Sequence, residues 1–387
     1  MRILILGGDG YLGWPTAMHF ANQGHDVVAV DNYLRRKIAK DTDSEALFPN
    51  PDLLERAEIF KATTGKEIKV EIGDCADMSF MAKLFERFEP EAVVHYAEQP
   101  SAPYSMRGYD EAALTLDNNL KATFNMIWAV MQYAPDCHIV KLGTMGEYGT
   151  PNIDIEEGWL DVEHKGRTQK FLYPRQAGSL YHTTKVLDTD LLWFYVRTHG
   201  LRVTDLMQGP VYGFITPEAD ADARLKPNFH YDDIFGTLLN RFMVQAVHGT
   251  PLTVYGKGGQ TRGYLDLRDT LQCVDLACKN PVERGDMRIL NQFVEQFSVN
   301  QLADRVKSVG DAMGLNVEIK SIPNPRKEAE DHYYNAANTG FKELGLKPHI
   351  LTDDVLAQML ERVAEYKDQI DGSKIMPRVS WNTAKAA

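Results

Sequence analysis

A glycine-rich turn between an apolar run and a helix constrains the fold of this chain more than any other feature. Residues 2–6 form an apolar run of the kind found in buried parallel strands. The turn Gly7-Gly-Asp-Gly-Tyr-Leu-Gly13 follows, and a helical pattern continues over residues 16–23. A second apolar run, residues 25–30, is closed by Asp31. This order of strand, turn, helix, strand and acidic residue predicts a dinucleotide-binding unit.

The three spaced glycines of the turn predict how a dinucleotide is held. Gly7 permits the tight turn, Gly10 lets backbone N–H groups approach a pyrophosphate, and Gly13 lets the helix and strand pack closely. Asp31 favours NAD, because its carboxylate accepts a hydrogen bond from a ribose 2′-hydroxyl and repels a 2′-phosphate.

Two arginines after Asp31 leave open a cofactor that carries a 2′-phosphate in place of NAD. Arg35 and Arg36 could accept a 2′-phosphate, stack on the adenine or face solvent in a loop. Asp74 and Cys75 follow the third predicted strand and either reach the adenine or form a solvated turn. We predict NAD, held by Gly7, Gly10, Tyr11, Leu12, Gly13, Asp31, Asn32, Arg35, Asp74 and Cys75, with Tyr181 and Lys185 at the other end of the cofactor.

Alternating strands and helices predict the fold class. Further apolar runs at 68–72, 92–95, 138–142 and 201–207 are separated by helical stretches, which is typical of a parallel sheet covered on both faces. The connection between Asp31 and Ile68 is long, charged and interrupted by proline, and predicts a helix plus a mobile loop.

The second half of the chain has more proline and glycine and a looser alternation. We expect helices at 234–248, 299–313 and 353–368 and a polar tail after Pro377 that lies over the surface. The prediction is therefore an α/β chain with a Rossmann-type, doubly wound parallel sheet and a smaller, partly interleaved C-terminal substrate domain. The domains are residues 1–209 plus about 265–296, which bind NAD, and about 210–264 plus 297–387, which bind the substrate.

Composition excludes several classes of partner. Lys and Arg total 42 against 54 Asp and Glu, a net charge of −12, which disfavours nucleic acids and anionic membrane surfaces. The sequence contains no run of about 18 apolar residues, so we expect no membrane span. The four cysteines include no CxxC pair, and Cys273 and Cys278 are five apart, so we expect a reducing, cytoplasmic location and no metal site.

A tyrosine and a lysine four residues apart predict the reacting end of the site. In Tyr181-His-Thr-Thr-Lys185 the two side chains share one face of a helix. An ammonium beside the phenol would lower the pKa of the phenol, so that a tyrosinate could act as a base nearer neutral pH. Thr144 ends the preceding predicted strand and would hydrogen-bond the same substrate hydroxyl.

With these motifs the chain resembles the extended short-chain dehydrogenases/reductases, the class of nucleotide-sugar epimerases and dehydratases. Longer runs resemble the UDP-sulfoquinovose synthase family over nearly the whole chain. They are Gly143-Thr-Met-Gly-Glu-Tyr-Gly-Thr-Pro-Asn152, Glu98-Gln-Pro-Ser-Ala-Pro-Tyr-Ser-Met106, Tyr255-Gly-Lys-Gly-Gly-Gln-Thr-Arg-Gly-Tyr264, Asn291-Gln-Phe-Val-Glu-Gln-Phe-Ser298, Pro323-Asn-Pro-Arg-Lys-Glu-Ala-Glu330 and Met376-Pro-Arg-Val-Ser-Trp381.

The resemblance implies a reaction in which UDP-glucose and sulfite give UDP-sulfoquinovose, with bound NAD used and regenerated in each turnover. Oxidation at C4 acidifies the C5 proton, loss of the C6 hydroxyl gives an enone, sulfite adds at C6, and C4 is reduced again. The partners implied are UDP-glucose and sulfite.

The resemblance also implies roles for individual residues. Arg262 and Arg326 match positions where the class clamps the diphosphate, and guanidinium groups suit phosphate. The other substrate contacts implied are Gln99, Tyr104, Thr144, Gln208, Tyr255 and Gln260; for several of these an ordinary loop role is the alternative.

One departure from the related dehydratases concerns proton transfer at C5 and C6. Those enzymes carry Asp and Glu after the threonine, where this chain has Met145 and Gly146. Glu147 and His182 are then the remaining candidates for this proton transfer. For each, a purely structural role is an equal alternative.

Two helical stretches, 114–133 and 186–198, match the class's four-helix dimer interface and predict a homodimer. Two other functions stay open at this point: a UDP-hexose 4-epimerase or 4,6-dehydratase of the same fold, and a protein that binds NAD without catalysis. The intact set of Thr144, Tyr181 and Lys185 disfavours the last, because binding needs no base.

Overall fold

Apolar runs form a parallel sheet in the computed structural model, which describes residues 1–326 and 333–378. The strands of the described residues are β1 Arg2–Leu6, β2 Asp26–Asp31, β3 Lys69–Ile72, β4 Ala92–His95, β5 His138–Thr144, β6 Trp159–His164, β7 Arg167–Leu172, β8 Arg202–Gln208, β9 Val211–Tyr212, β10 Leu252–Tyr255, β11 Thr261–Asp266, β12 Met287–Gln292, β13 Glu295–Ser298 and β14 Ile319–Ile322. Seven of them form the main sheet in the order β12-β8-β5-β4-β1-β2-β3, and every pair in it is parallel.

Helices cover both faces of this sheet. The α-helices of the described residues are α1 Gly13–Asn22, α2 Leu34–Asp41, α3 Leu53–Thr64, α4 Met78–Phe88, α5 Ala102–Ser105, α6 Tyr109–Tyr133, α7 Leu180–His199, α8 Leu238–His248, α9 Leu267–Lys279, α10 Val299–Ala312, α11 Gly340–Glu343 and α12 Asp353–Ala364, of which α8, α10 and α12 pack in a separate core. Side chains alternate along β1, so Leu4 and Leu6 pack with α4, α6 and α7, whereas Ile3 and Ile5 pack with α1, α3 and α9. The predicted Rossmann-type architecture is confirmed.

The strand order reverses at β1, which lies between β2 and β4. Crevices at such a switch point, at the carboxyl ends of the strands, are where open α/β sheets bind ligands. The turn after β1, the end of β2 and the segment after β4 therefore lie at the same edge of the sheet. The sequence pattern located these strands to within a few residues, and 92–95 is matched by β4.

The connection between β2 and β3 differs from its prediction. It holds two helices, α2 and α3, where we expected one helix and a mobile loop. Asp52 caps α3 by accepting a hydrogen bond from the backbone N–H of Glu55. Between the helices, Leu47 and Phe48 are buried against aromatic side chains from residues 214–231. Because the segment is mostly charged, its sequence did not indicate that these two side chains are buried.

A second hydrophobic core lies among α8, α10 and α12 beside the parallel pair β10 and β14. The segment 265–296 returns to the main sheet, since β12 pairs with β8. Leu47 and Phe48, which we assigned to the first domain, pack in this second core. The division into two domains stays a proposal. The polar tail expected after Pro377 lies outside the described residues from 379 onward.

Candidate functional site

One cavity of ≈ 550 Å³ lies at the carboxyl ends of the main-sheet strands. Its wall runs from the glycine turn after β1 to Arg326 on the far side. The predicted site residues that line it are Gly7, Gly10, Tyr11, Leu12, Gly13, Asp31, Asn32, Arg35, Asp74, Cys75, Gln99, Thr144, Tyr181, His182, Gln208, Tyr255, Gln260, Arg262 and Arg326. Three others, Tyr104, Glu147 and Lys185, lie behind this wall.

The glycine turn has the shape that a pyrophosphate requires. Gly7 has φ +87°, and a Cβ there would lie 2.7 Å from the Tyr96 carbonyl carbon. A Cβ at Gly13 would overlap the Gly7 carbonyl oxygen, so only glycine allows α1 to start this close to β1. Leu12, the N-cap of α1, makes no side-chain cap. The helix N-terminus is thus left to an anion such as the dinucleotide pyrophosphate.

Asp31 stands at the end of β2 with two backbone donors. Its oxygens accept hydrogen bonds from the N–H groups of Asp9 (2.9 Å) and Tyr33 (2.7 Å). Burial, followed by the neighbouring Asp9 charge, raises the pKa of Asp31 to about 6. The Asp31 carboxylate at this position repels a 2′-phosphate, which favours NAD.

The two arginines after Asp31 have different partners. Arg36 is tied to Asp9 through its Nε (2.5 Å) and Nη2 (2.8 Å) and to Asn50. The hydrogen bonds of the Arg36 guanidinium group are therefore made to groups of the protein. Arg35 stacks on Phe235, with its guanidinium carbon 4.5 Å from the ring centroid, and lines the cavity.

Tyr181 and Lys185 lie on the first turns of α7, which Ser179 caps by accepting from the His182 N–H. The Lys185 Nζ is 5.9 Å from the centroid of the Tyr181 ring. It donates to Glu98 Oε1 (2.7 Å) and to the Leu142 carbonyl (2.6 Å). Burial and the Glu98 charge raise the pKa of Tyr181, the opposite of the lowering expected from Lys185.

Thr144 ends β5 and Glu147 lies beneath it. The Glu147 carboxylate accepts from the Thr144 N–H (3.2 Å) and forms ion pairs with Lys141 (3.3 Å) and Arg175 (3.7 Å). Burial opposes ionisation, but Lys141 and Arg175 hold the pKa of Glu147 below its usual value. A buried, paired carboxylate outside the cavity wall favours the structural alternative for Glu147.

His182 occupies the space that a side chain at position 146 would need. A Cβ built on Gly146 would lie 2.5 Å from the His182 Cδ2 and Nε2 atoms. The His182 Nδ1 is 3.0 Å from Ser179 Oγ. Desolvation and the nearby charges of Arg326 and Arg262 lower the pKa of His182 to about 4, so the imidazole is neutral at neutral pH.

Apart from Thr144, the predicted substrate residues divide into three groups. Arg262, Arg326 and Tyr255 line the end of the cavity beyond His182. Gln99 and Tyr104 are largely engaged inside the protein: the Gln99 amide donates to Thr115 Oγ1 (2.7 Å), and Tyr104 packs in a small apolar cluster. The remaining two, Gln208 and Gln260, reach the wall from β8 and from the turn before β11.

The sequence reasoning missed three charged residues of the wall, Glu98, Asp233 and Arg241. Glu98 follows the carboxyl end of β4 and pairs with Lys185. Arg241, on α8, donates through Nη1 to the Tyr255 hydroxyl (2.9 Å) and stacks on its ring. A charged residue in the segment that follows the buried strand β4 was the available signal for Glu98. No pattern in the sequence around Arg241 identifies it as a residue of the site.

Two general features complete the description of residues 1–326 and 333–378. Within these ranges, none of the helices combines the length and the apolar character needed to cross a bilayer. The same residues bring together no group of three or more His, Cys, Asp or Glu side chains suited to a metal ion.

Comparison with known proteins agrees with this geometry. Residues 3–291 match the model of the NAD dependent epimerase/dehydratase family. The chain is 51% identical to the chloroplastic UDP-sulfoquinovose synthase of Spinacia oleracea, over 98% of this chain and 79% of that protein. It is 44% identical to UDP-sulfoquinovose synthase of Sulfolobus acidocaldarius, over 98% of both. The UDP-glucose-4-epimerase of Stenotrophomonas maltophila has the same fold, with a TM-score of 0.73 at 20% identity over 95% of this chain and 98% of that one.

Proposed function

The chain belongs to the NAD dependent epimerase/dehydratase family and, within it, to the UDP-sulfoquinovose synthases, and on that premise we propose that its cavity joins sulfite to UDP-glucose. The observation that carries this proposal is that Thr144, Tyr181 and His182 share one cavity with the glycine turn and with Arg262. A cofactor site, a base and a cationic nucleotide site in one wall suit a redox-assisted change on a sugar nucleotide.

The cofactor is NAD, which when bound supplies a temporary store for the hydride from C4. The glycine turn and the N-terminus of α1 would hold its pyrophosphate, and Asp31 would hold its adenosine ribose. Arg262 and Arg326 would hold the diphosphate of the UDP-sugar, because a guanidinium group bonds phosphate oxygens in pairs.

We assign the base at the sugar 4-hydroxyl to Tyr181. It accepts the hydroxyl proton as the C4–H bond breaks, and Thr144 orients the same hydroxyl. The raised pKa of Tyr181 means that turnover rises with pH, because the tyrosinate is the accepting form. Replacement of Tyr181 by Phe is expected to lower kcat by about 10²–10⁴-fold while UDP-glucose binding persists.

We assign proton transfer at C5 and C6 to His182. A 4-ketone acidifies the C5 proton, and a neutral imidazole can accept that proton. The lowered pKa of His182 keeps the ring neutral. Its contact with Ser179 Oγ orients the ring and leaves Nε2 as the second nitrogen for the substrate. The protonated imidazole then donates to the C6 hydroxyl, which leaves as water and gives the enone. Sulfite adds at C6, a proton returns to C5, and C4 is reduced again.

The test of this function is incubation of NAD-loaded protein with UDP-glucose, with and without sulfite, followed by mass spectrometry. The expected product carries a sulfonate in place of the C6 hydroxyl and forms only when sulfite is present. UDP-galactose or a 4-keto-6-deoxy sugar formed without sulfite would instead indicate the epimerase or dehydratase alternative.

We also propose that the protein is a homodimer. Helices α6 and α7 pack together and leave Leu116, Phe124, Leu187 and Phe194 exposed, each at least 38% accessible. Apolar side chains on two adjacent helices are typical of a protein–protein interface. A cytoplasmic location is likewise a proposal, and the plant relative is named chloroplastic.

A further inference from the structure

Glu98 is a carboxylate at the reacting end of the cavity that the roles given above do not use. It follows β4, its side chain is only 2% exposed, and it lines the cavity beside Tyr96 and Gln99. Its Oε1 accepts from the Lys185 ammonium at 2.7 Å. This ion pair alone accounts for one of its two oxygens.

The second oxygen, Glu98 Oε2, is buried and has no hydrogen-bond partner among the described residues. The nearest imidazole N–H and ammonium groups are directed elsewhere. His95 Nε2 is 3.5 Å from Oε1, the other oxygen, and is within 3.0 Å of Thr123 Oγ1. Burial and the Glu98 charge raise the pKa of the buried Asp188 carboxyl well above its usual value, so a proton on Asp188 is the competing internal donor. The Lys185 ammonium is shared with the Leu142 carbonyl. Buried carboxylate oxygens are normally satisfied, and because Glu98 lines the cavity, a ligand can supply the missing donor.

The position of Glu98 identifies the class of donor. The glycine turn marks the pyrophosphate end of the NAD site, and Tyr181 marks the end where C4 of the sugar must meet the nicotinamide. The ribose that carries the nicotinamide would therefore lie beside Lys185 and Glu98. It carries two hydroxyl groups, and a hydroxyl can donate to a carboxylate.

We propose that Glu98 is a cofactor-positioning residue, whose Oε2 accepts a hydrogen bond from a hydroxyl of the nicotinamide ribose while its Oε1 holds the Lys185 ammonium. The inference rests on the NAD site described above. It explains why a carboxylate stands beside the lysine: one oxygen orients the lysine and the other orients the cofactor. An acidic residue at each ribose, Asp31 and Glu98, would then hold the dinucleotide at both ends.

The test measures which ribose hydroxyl the protein recognises. Holoprotein is equilibrated with an excess of NAD mixed equally with an analogue that lacks the 2′- or the 3′-hydroxyl of the nicotinamide ribose. The bound ratio is read by mass spectrometry after denaturation. The native protein is expected to prefer NAD over at least one analogue by about tenfold or more, as for hydrogen bonds to charged groups.

Variants assign that preference to Glu98. In Glu98→Ala, the preference for NAD over the same analogue is expected to fall close to unity. Glu98→Gln keeps an acceptor for Lys185, and in this variant the preference is expected to fall severalfold. Glu91→Gln is the matched control, because Glu91 is exposed at the opposite end of the sheet and its replacement should leave this preference unchanged. Equal preferences in the native protein and both Glu98 variants would overturn the proposal.

The outcomes separate this inference from the proposed function. Native protein that binds no NAD at all would refute the cofactor site itself. Native protein that binds NAD but has no preference against either analogue would refute only the role of Glu98. Circular dichroism on each variant establishes that it is folded, and the Gln variant carries the test if the Ala variant does not fold.

Discussion

At the scale of single residues, the chemistry of the site depends on pairs that stand far apart in the sequence. Lys185 shares a helix face with Tyr181, as their spacing predicts, but its charge is paired with Glu98. The phenol therefore feels burial and a carboxylate rather than an isolated ammonium. The lysine would serve to orient groups as well as to adjust the pKa of Tyr181.

The pH dependence of turnover tests this arrangement. In Glu98→Gln at saturating NAD, the acid limb of the kcat–pH profile should move to lower pH by about one unit. The sign follows because Glu98 raises the pKa of Tyr181, and removing its charge makes the tyrosinate available at lower pH. The other charged or titratable groups around the pair, His95, Lys141, Glu147, Asp188 and Lys185, are unchanged in this variant.

Glu91→Gln is the control for that profile. Glu91 is exposed and accepts from the Arg2 N–H at the opposite end of the sheet from the cavity, so its replacement should leave the profile unmoved. An acid limb that stays in place in Glu98→Gln would contradict the electrostatic role of Glu98.

Gly146 tests the assignment of His182. A methyl group at Gly146→Ala would push the His182 ring, which lies 2.5 Å from that Cβ position. Because a small displacement of a catalytic group is costly, sulfonated product should fall by about tenfold or more. Reduction of bound NAD by UDP-glucose, followed by absorbance, should persist. Full product formation by this variant would contradict the role of His182.

At the scale of elements, the connection between β2 and β3 joins the two cores. Its helices α2 and α3 flank Phe48, which packs against Phe214, Phe229 and Tyr366 with ring centroids 4.7–5.1 Å apart. The ammonium of Lys226 lies 4.6 Å from the Phe48 ring centroid. This segment approaches the mouth of the NAD site through Arg35, so its packing supports the cofactor wall.

Phe48→Ala should therefore destabilise the fold. The cavity left by a buried aromatic ring costs about 3–5 kcal/mol in the free energy of unfolding. Urea or thermal denaturation measures it. Leu54→Ala is a matched control in the same connection, because Leu54 is 52% exposed, and its effect should be within about 0.5 kcal/mol. Equal effects of the two substitutions would contradict the anchoring role of Phe48.

At the scale of the whole molecule, the net charge of −12 contrasts with three anionic ligands. Backbone N–H groups at the start of α1 and the arginines at positions 262 and 326 would hold the dinucleotide and the UDP-sugar. A few placed donors are sufficient because they converge on one cavity, while the excess negative charge repels polyanions elsewhere.

The proposed dimer gives a prediction at this scale. Phe194→Asp places a charge on the exposed face of α7 and should convert a dimer into a monomer, because burying an unpaired carboxylate is unfavourable. Light scattering measures the mass. Phe171→Asp, an equally exposed phenylalanine on the β6–β7 hairpin, is the control and should keep the native mass. A native protein of monomeric mass would refute the dimer.

Local order in the sequence determined much of this protein. The strand, glycine turn, helix and second strand up to Asp31 are contiguous, and Tyr181 and Lys185 are four residues apart, so periodicity and sterics were enough to predict them. Tertiary structure alone decided which groups meet across the chain: Glu98 with Lys185, the His182 ring with the gap at Gly146, and Phe48 with the second core. These contacts join distant segments and leave no local pattern, because they depend on how the strands order themselves in the sheet.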